Sequence, residues 1–211
     1  MKKWLSLSIT VGIAMGSFLA CAPTNKEQAP CGFVQNVYGE RISWKNAVPV
    51  PLTIHSSFPQ EFYPALENAM KTWETAAGRR LFKIVATNAG GSATPRQDNV
   101  NMISLMNEWD GSRPDEQART SVYWVGYEIQ EADIRLNGKD FTFYQDNPQG
   151  YRQVHMESLL LHELGHLLGL KHEDGRDSQS GQLSVMGTYL ASQTKRTSLN
   201  TTDAEAMQCE Y

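Results

Sequence analysis

His162-Glu163-Leu164-Gly165-His166-Leu167-Leu168-Gly169-Leu170-Lys171-His172 is the stretch that governs how this chain is read, an HExxHxxGxxH pattern inside an apolar run that begins at Leu159. On a helix, positions i and i+4 lie about 40° apart around the axis and one turn apart in height, so His162 and His166 present both imidazoles to one point. Glu163 lies roughly 100° round from His162, beside that point and not on it, where its carboxylate can take a proton from an activated water. His172 would point away on a continuous helix. Gly169, however, is free to adopt the left-handed conformation that ends a helix and turns the chain back, which returns His172 as a third ligand. Three neutral imidazoles leave a tetrahedral ion one open position, the arrangement of a catalytic zinc; a structural zinc has all four positions filled by protein. The plain alternative is a buried helix that carries histidines by chance, and five fixed residues at these spacings weigh heavily against it.

Downstream, Ser184-Val185-Met186-Gly187-Thr188-Tyr189 follows the third histidine. The two segments together resemble the metzincin metallopeptidases, most closely the matrixin branch, in which a methionine-bearing turn lies beneath the metal. Ala69-Met70-Lys71-Thr72-Trp73 and Ala132-Asp133-Ile134-Arg135-Leu136 are also similar to matrixin segments. The resemblance implies one catalytic Zn2+ on His162, His166 and His172, Glu163 as general base, and Met186 in the Met-turn. It also implies a cleft whose sheet edge is Ala132, Asp133 and Ile134, pairing with an extended polypeptide substrate, and a side-chain pocket lined by Gly187, Thr188 and Tyr189.

Departures from the family pattern set further expectations. Matrixins carry additional histidines for a second zinc, but this chain has five His in all, and only His55 and His155 fall outside the motif, so no second zinc is expected. Glu173 is similar to the astacin branch, yet astacins and serralysins place a zinc-liganding Tyr two residues after the Met, where Thr188 stands here. Tyr189 is out of register for that role and is expected as a wall of the cleft or a hydrogen-bond donor to the transition state. His155, about 10 Å along the helix axis from His162, is expected at the surface or behind the ligands. Calcium is common in matrixins, and Asp174 and Asp177 are its candidate ligands, or else solvated loop charges.

The rest of the chain predicts an α+β fold, and the resemblance implies that it is of the metzincin type. Residues 51–55 alternate like a strand, and residues 60–77 show helical spacing in Phe62, Leu66, Met70 and Trp73. Short apolar runs at 81–86, 100–106, 120–126 and 129–136 give four more strands, for a mixed, five-stranded sheet. Residues 87–98 and 107–118 read as loops. The active-site helix is expected over 153–168, and a last helix opens on the capping-box pattern Thr202-Asp203-Ala204-Glu205. The resemblance divides the catalytic domain, residues 31–211, into an upper part ending at about Gly169 and a lower part over 170–211.

The N-terminus reads as an export signal. Lys2 and Lys3 precede an apolar run over 4–19, shorter than the roughly 20 residues that span a bilayer, so residues 1–20 are expected to be a signal peptide. Phe18-Leu19-Ala20-Cys21 resembles the lipobox of bacterial lipoproteins. That implies a lipidated Cys21, a flexible tether over 21–30, and anchorage to the cell envelope, with Ala22 favouring the outer membrane; the alternative is a soluble periplasmic or secreted form. Cys31 and Cys209 remain as an even pair in an oxidising compartment and read as a disulfide. The competing reading is that Pro30-Cys31-Gly32 is similar to the matrixin cysteine switch.

Composition excludes other classes. With 211 residues and 40% hydrophobic content the chain has material for one ordinary core. A net charge of -4, without a cluster of basic residues, argues against nucleic acid as a partner. The expected protein is therefore a monomeric zinc endopeptidase on a lipid anchor. A non-catalytic zinc-binding or adhesive module on the same scaffold is the alternative, and Glu163 discriminates, because binding alone has no use for a base. Peptidoglycan cross-bridges rank lower as substrate, since no wall-binding module is visible.

Overall fold

The computed structural model describes residues 27–148, 150–178 and 180–211. The signal segment, Cys21 and the first part of the tether lie outside the described residues. Among the described residues no helix is long and apolar enough to cross a membrane. The architecture is α+β. Strands β1 (Val50–His55), β2 (Phe82–Ala89), β3 (Asn101–Met106), β4 (Ala118–Val125) and β5 (Glu128–Asn137) form one sheet in the order β2-β1-β3-β5-β4. Pairing is parallel except at β4, which runs antiparallel to β5.

Alternation writes the sheet and a stripe writes the first helix. Val50, Leu52 and Ile54 of β1 are buried with exposed or half-buried residues between them. Helix α1 (Tyr63–Ala77) buries Ala65, Leu66, Ala69, Met70 and Trp73 on one face, carries Pro64 in its first turn, and ends on Gly78 in the left-handed conformation. It packs against helix α2 (Met156–Leu167), which runs along β4 and β5 and is buried on nearly every side, and against helix α3 (Thr201–Glu210). The Trp73 indole donates to Leu161 O at 2.8 Å, tying α1 to the middle of α2.

Four sequence expectations are corrected here. The sheet edge is β4, not residues 132–134: β5 lies between β3 and β4, Ala132 and Ile134 are fully buried, and Asp133 accepts a bond from Met102 N. Residues 153–155 do not begin the active-site helix but form a short strand, β7 (Gln153–His155), parallel to an unforeseen β6 (Thr142–Tyr144). His155 is buried rather than superficial: its Nδ1 accepts from Ser158 N and caps α2, and its Nε2 donates to Gln145 O. The last capping box is Asn200 with Asp203, two residues before the Thr202 pattern.

The chain ahead of β1 forms a strap. Phe33 is buried and bridges Leu170, Ile42 N donates back to Val34 O, and Cys31 is joined to Cys209 in α3 by a disulfide, which removes its thiol from any switch role. The strap and the C-terminus also complete the end of α2. Trp44 Nε1 donates to Leu167 O, Tyr211 Oη to Leu168 O, and Val34 N to Gly169 O, so the carbonyls that a helix end leaves without partners are taken up.

Candidate metal centre

His162 and His166 project from the same face of α2, and the chain leaves the helix at Gly169, whose φ is +105°. A β-carbon there would run into Ile42 O, so the strap and the turn both require glycine. The turn brings His172 back: Nε2 of His166 lies 3.0 Å from Nε2 of His162 and 3.1 Å from Nε2 of His172. Imidazoles on a tetrahedral zinc at about 2.05 Å have nitrogens about 3.3 Å apart, so the trio fits that ion. Nδ1 of His162 faces Val185 O and Nδ1 of His166 faces Leu170 O, each at 2.8 Å. A carbonyl can only accept, so both Nδ1 atoms carry the proton and both Nε2 lone pairs point inward. Burial, and then the neighbouring His166, hold His162 down at about 3, and burial also lowers His172, which keeps both in the neutral, ligating form. Among the described residues this is the one group of three or more metal-ligating side chains drawn together.

Glu163 is buried beside the trio, and its Oε2 accepts from Thr120 Oγ1 at 2.6 Å. Thr120 belongs to the edge strand β4, and nothing in its local sequence singles it out; only the sheet's packing over α2 makes it the group that orients this carboxylate. Burial raises the Glu163 carboxyl above its ordinary range, against the opposing influence of His166 and the Thr120 bond. A carboxylate that holds protons more tightly is a better base.

Met186 is buried under the site, and a β-carbon on Gly165 would overlap its sulfur and press on Trp73. Gly165 thus allows the sulfur to sit against the helix between His162 and His166. The turn is fixed from two sides. Asp203 of α3 accepts from Ser184 Oγ at 2.5 Å and from Val185 N and Asn200 N at 3.0 Å, while Asp174 accepts from Thr188 N at 2.7 Å and Thr188 Oγ1 at 2.9 Å. Asp177 accepts from Ser180 N, Ser180 Oγ and Thr201 N. Asp174 is an exposed loop charge that binds Thr188 of the Met-turn segment, whereas Asp177 is buried and binds Ser180 and the start of α3. Asp203 escaped the sequence reading because it looked like the interior of a capping pattern.

The site opens into a cleft of about 570 Å³. Ala118 to Thr120, Val122 and Trp124 of β4 border it on one side, and Gly187, Thr188, Tyr189 and Leu190 on another. Arg196 spans the second wall, donating to Ser184 O and Tyr189 O at 3.0 Å each. Tyr189 is 74% exposed. Ala132, Asp133 and Ile134 do not line this cleft, for the reason given above: β4 stands between β5 and the opening.

Comparison with known proteins follows the same line. A search of curated protein sequences finds no match. Among solved structures the chain is similar to high choriolytic enzyme 1, a hatching enzyme zinc-protease from the medaka fish Oryzias latipes, at 18% identity and a TM-score of 0.30. That match covers 71% of this chain and 54% of the other, so the chain spans about half the length of that protein, and the likeness is too slight to carry an argument. The family model for matrixins matches residues 57–211, which takes in both helices of the core, the whole sheet from β2 onward, the histidine trio and the Met-turn. The chain belongs to the matrixin family.

Proposed function

We propose that the protein is a zinc-dependent endopeptidase in which His162, His166 and His172 hold the metal and Glu163 is the general base. The observation that carries this reading is the pairing of three inward-facing Nε2 atoms with a buried carboxylate, held by Thr120, at the floor of an open cleft. Zinc, when bound, supplies a Lewis acid that polarises the scissile carbonyl and makes a water nucleophilic near neutral pH. Glu163 accepts the proton of that water at its carboxylate and delivers it to the leaving amine. Thr120 keeps Oε2 aimed into the cleft during both transfers. The edge strand β4 gives an extended polypeptide main-chain hydrogen-bonding groups, which supply affinity with little dependence on sequence. The wall formed by Gly187, Thr188, Tyr189 and Leu190 accepts one substrate side chain.

Location rests on the sequence pattern at Cys21: a lipidated N-terminus would tether this acidic domain to the bacterial envelope by acyl chains rather than by charge. Glu163→Ala tests the chemistry. The variant is expected to keep one equivalent of zinc by metal analysis while hydrolysis of an unfolded protein falls by about 10³-fold or more. If wild type with zinc bound cleaves nothing, the non-catalytic zinc-binding module becomes the better reading.

A further inference from the structure

We infer that the strap and the far end of β4 together build an apolar subsite that selects a bulky apolar side chain of an extended polypeptide, two to four residues from the cleaved bond. The inference deepens the endopeptidase reading and rests on it. Val34 of the strap and Val122 and Trp124 of β4 face the same cleft as His162, with Ile42 and Leu170 behind them. Val34 is 39% exposed and Trp124 48% exposed, so carbon surface is left open to solvent on elements far apart in sequence. The two are fastened to each other and to the metal site. Val34 N donates to Gly169 O at 2.9 Å, and Asn36 Nδ2 donates to Gly126 O, in the turn that follows β4, at 3.1 Å.

Position along the substrate follows from the strand. Thr120, bonded to Glu163, marks where the scissile bond lies. Residues of a strand rise about 3.3 Å each, so Val122 and Trp124 stand about 7 and 13 Å farther along the edge, and a peptide extended beside β4 advances at the same rate. The start of β4 borders the other pocket, since Gln117 Nε2 donates to Leu190 O at 2.9 Å. The apolar shelf is therefore at the opposite end of the cleft from the Met-turn wall. An apolar side chain placed on it leaves water for carbon contact, whereas a charged one loses its hydration without gaining a partner. Val34 lies outside the residues that the matrixin model matches, whereas Val122 and Trp124 lie within them.

The test uses the zinc-loaded domain and peptides that differ only by Phe or Ser at one position, scanned from four residues before the cleaved bond to four after. Wild type is expected to favour Phe by about tenfold in kcat/KM at one position two to four residues from the bond. Val34→Asp and Trp124→Ala, changes to half-exposed residues on separate elements, should each bring that ratio below about threefold and leave the ratios at other positions as they were. An absent preference in wild type, or a ratio that neither variant moves, overturns the inference. The same ratio is read without turnover from fluorescence anisotropy of labelled peptides on zinc-loaded Glu163→Gln protein. If zinc-loaded wild type cleaves no peptide, the endopeptidase reading fails, and the anisotropy ratio alone then decides whether the shelf selects apolar side chains.

Discussion

Asp133 sits in the interior strand β5 with its carboxylate accepting from Met102 N at 3.0 Å, and burial, followed by the nearby Glu131 and Asp98 carboxylates, pushes its pKa up to about 6 from 3.8. A group whose folded pKa is raised binds its proton more tightly in the native state. Stability therefore falls as pH rises from about 4 to about 6, and the loss persists above that window. Asp133→Asn keeps an oxygen for Met102 N and removes the charge. The variant is expected to be more stable than wild type by about 1–2 kcal/mol at pH 7.5, with the difference vanishing near pH 4. Urea unfolding of both metal-free chains across that range checks it. The residue came under notice through the matrixin-like Ala-Asp-Ile segment, yet its consequence is for stability and not for substrate, because one strand more covers the sheet than the motif alone suggests.

Among the elements, α3 bears on the histidine trio through the segment that carries Val185. Asp203 binds Ser184 Oγ, Val185 N and Asn200 N, and Val185 O in turn holds Nδ1 of His162. Asp203→Ala leaves two buried N–H groups without acceptors and is expected to cost about 3 kcal/mol, read from urea unfolding. Because groups behind the ligands fix ring orientation, zinc affinity should also weaken about tenfold, measured by competition with a chelator. Asp203→Asn can still accept at one oxygen and should lose less than half as much. Element existence was largely legible beforehand, since the stripe of α1 and the alternation of β1 are properties of local spacing. The start of α2 was not. Gln153 and Val154 pair with the β6 strand, and His155 is spent on the cap, so the helix begins only at Met156.

At the scale of the whole molecule, the disulfide Cys31–Cys209 closes a loop with a sequence separation of 178 residues and binds the strap to α3. Beside it, Glu210 gathers Arg41, Ser43 and Lys45; burial opposes its ionisation, and the hydrogen bonds from those three residues outweigh it and hold its carboxyl below the ordinary range. Loop-closure entropy puts the cross-link at about 5 kcal/mol, an upper figure because residual structure and strain reduce it. Replacing both cysteines with serine is expected to lower unfolding free energy by about 2–5 kcal/mol. The comparison is urea unfolding of the oxidised wild type against the double variant at equal zinc loading.

What the chain by itself determined was whatever depends on short spacing: two histidines on one helix face with a glutamate beside them, a glycine that must end that helix, and a methionine segment shortly after. These are consequences of helical pitch and backbone sterics, which act over a few residues. Only the tertiary structure decided which strand edges the cleft, that Thr120 aims Glu163, that Asp174 and Asp203 clamp the Met-turn, and that a strap from before the first strand closes the end of α2. Each of those joins residues tens of positions apart, and such partners are chosen by how sheet, helices and strap share one buried core, a competition that local pattern does not record.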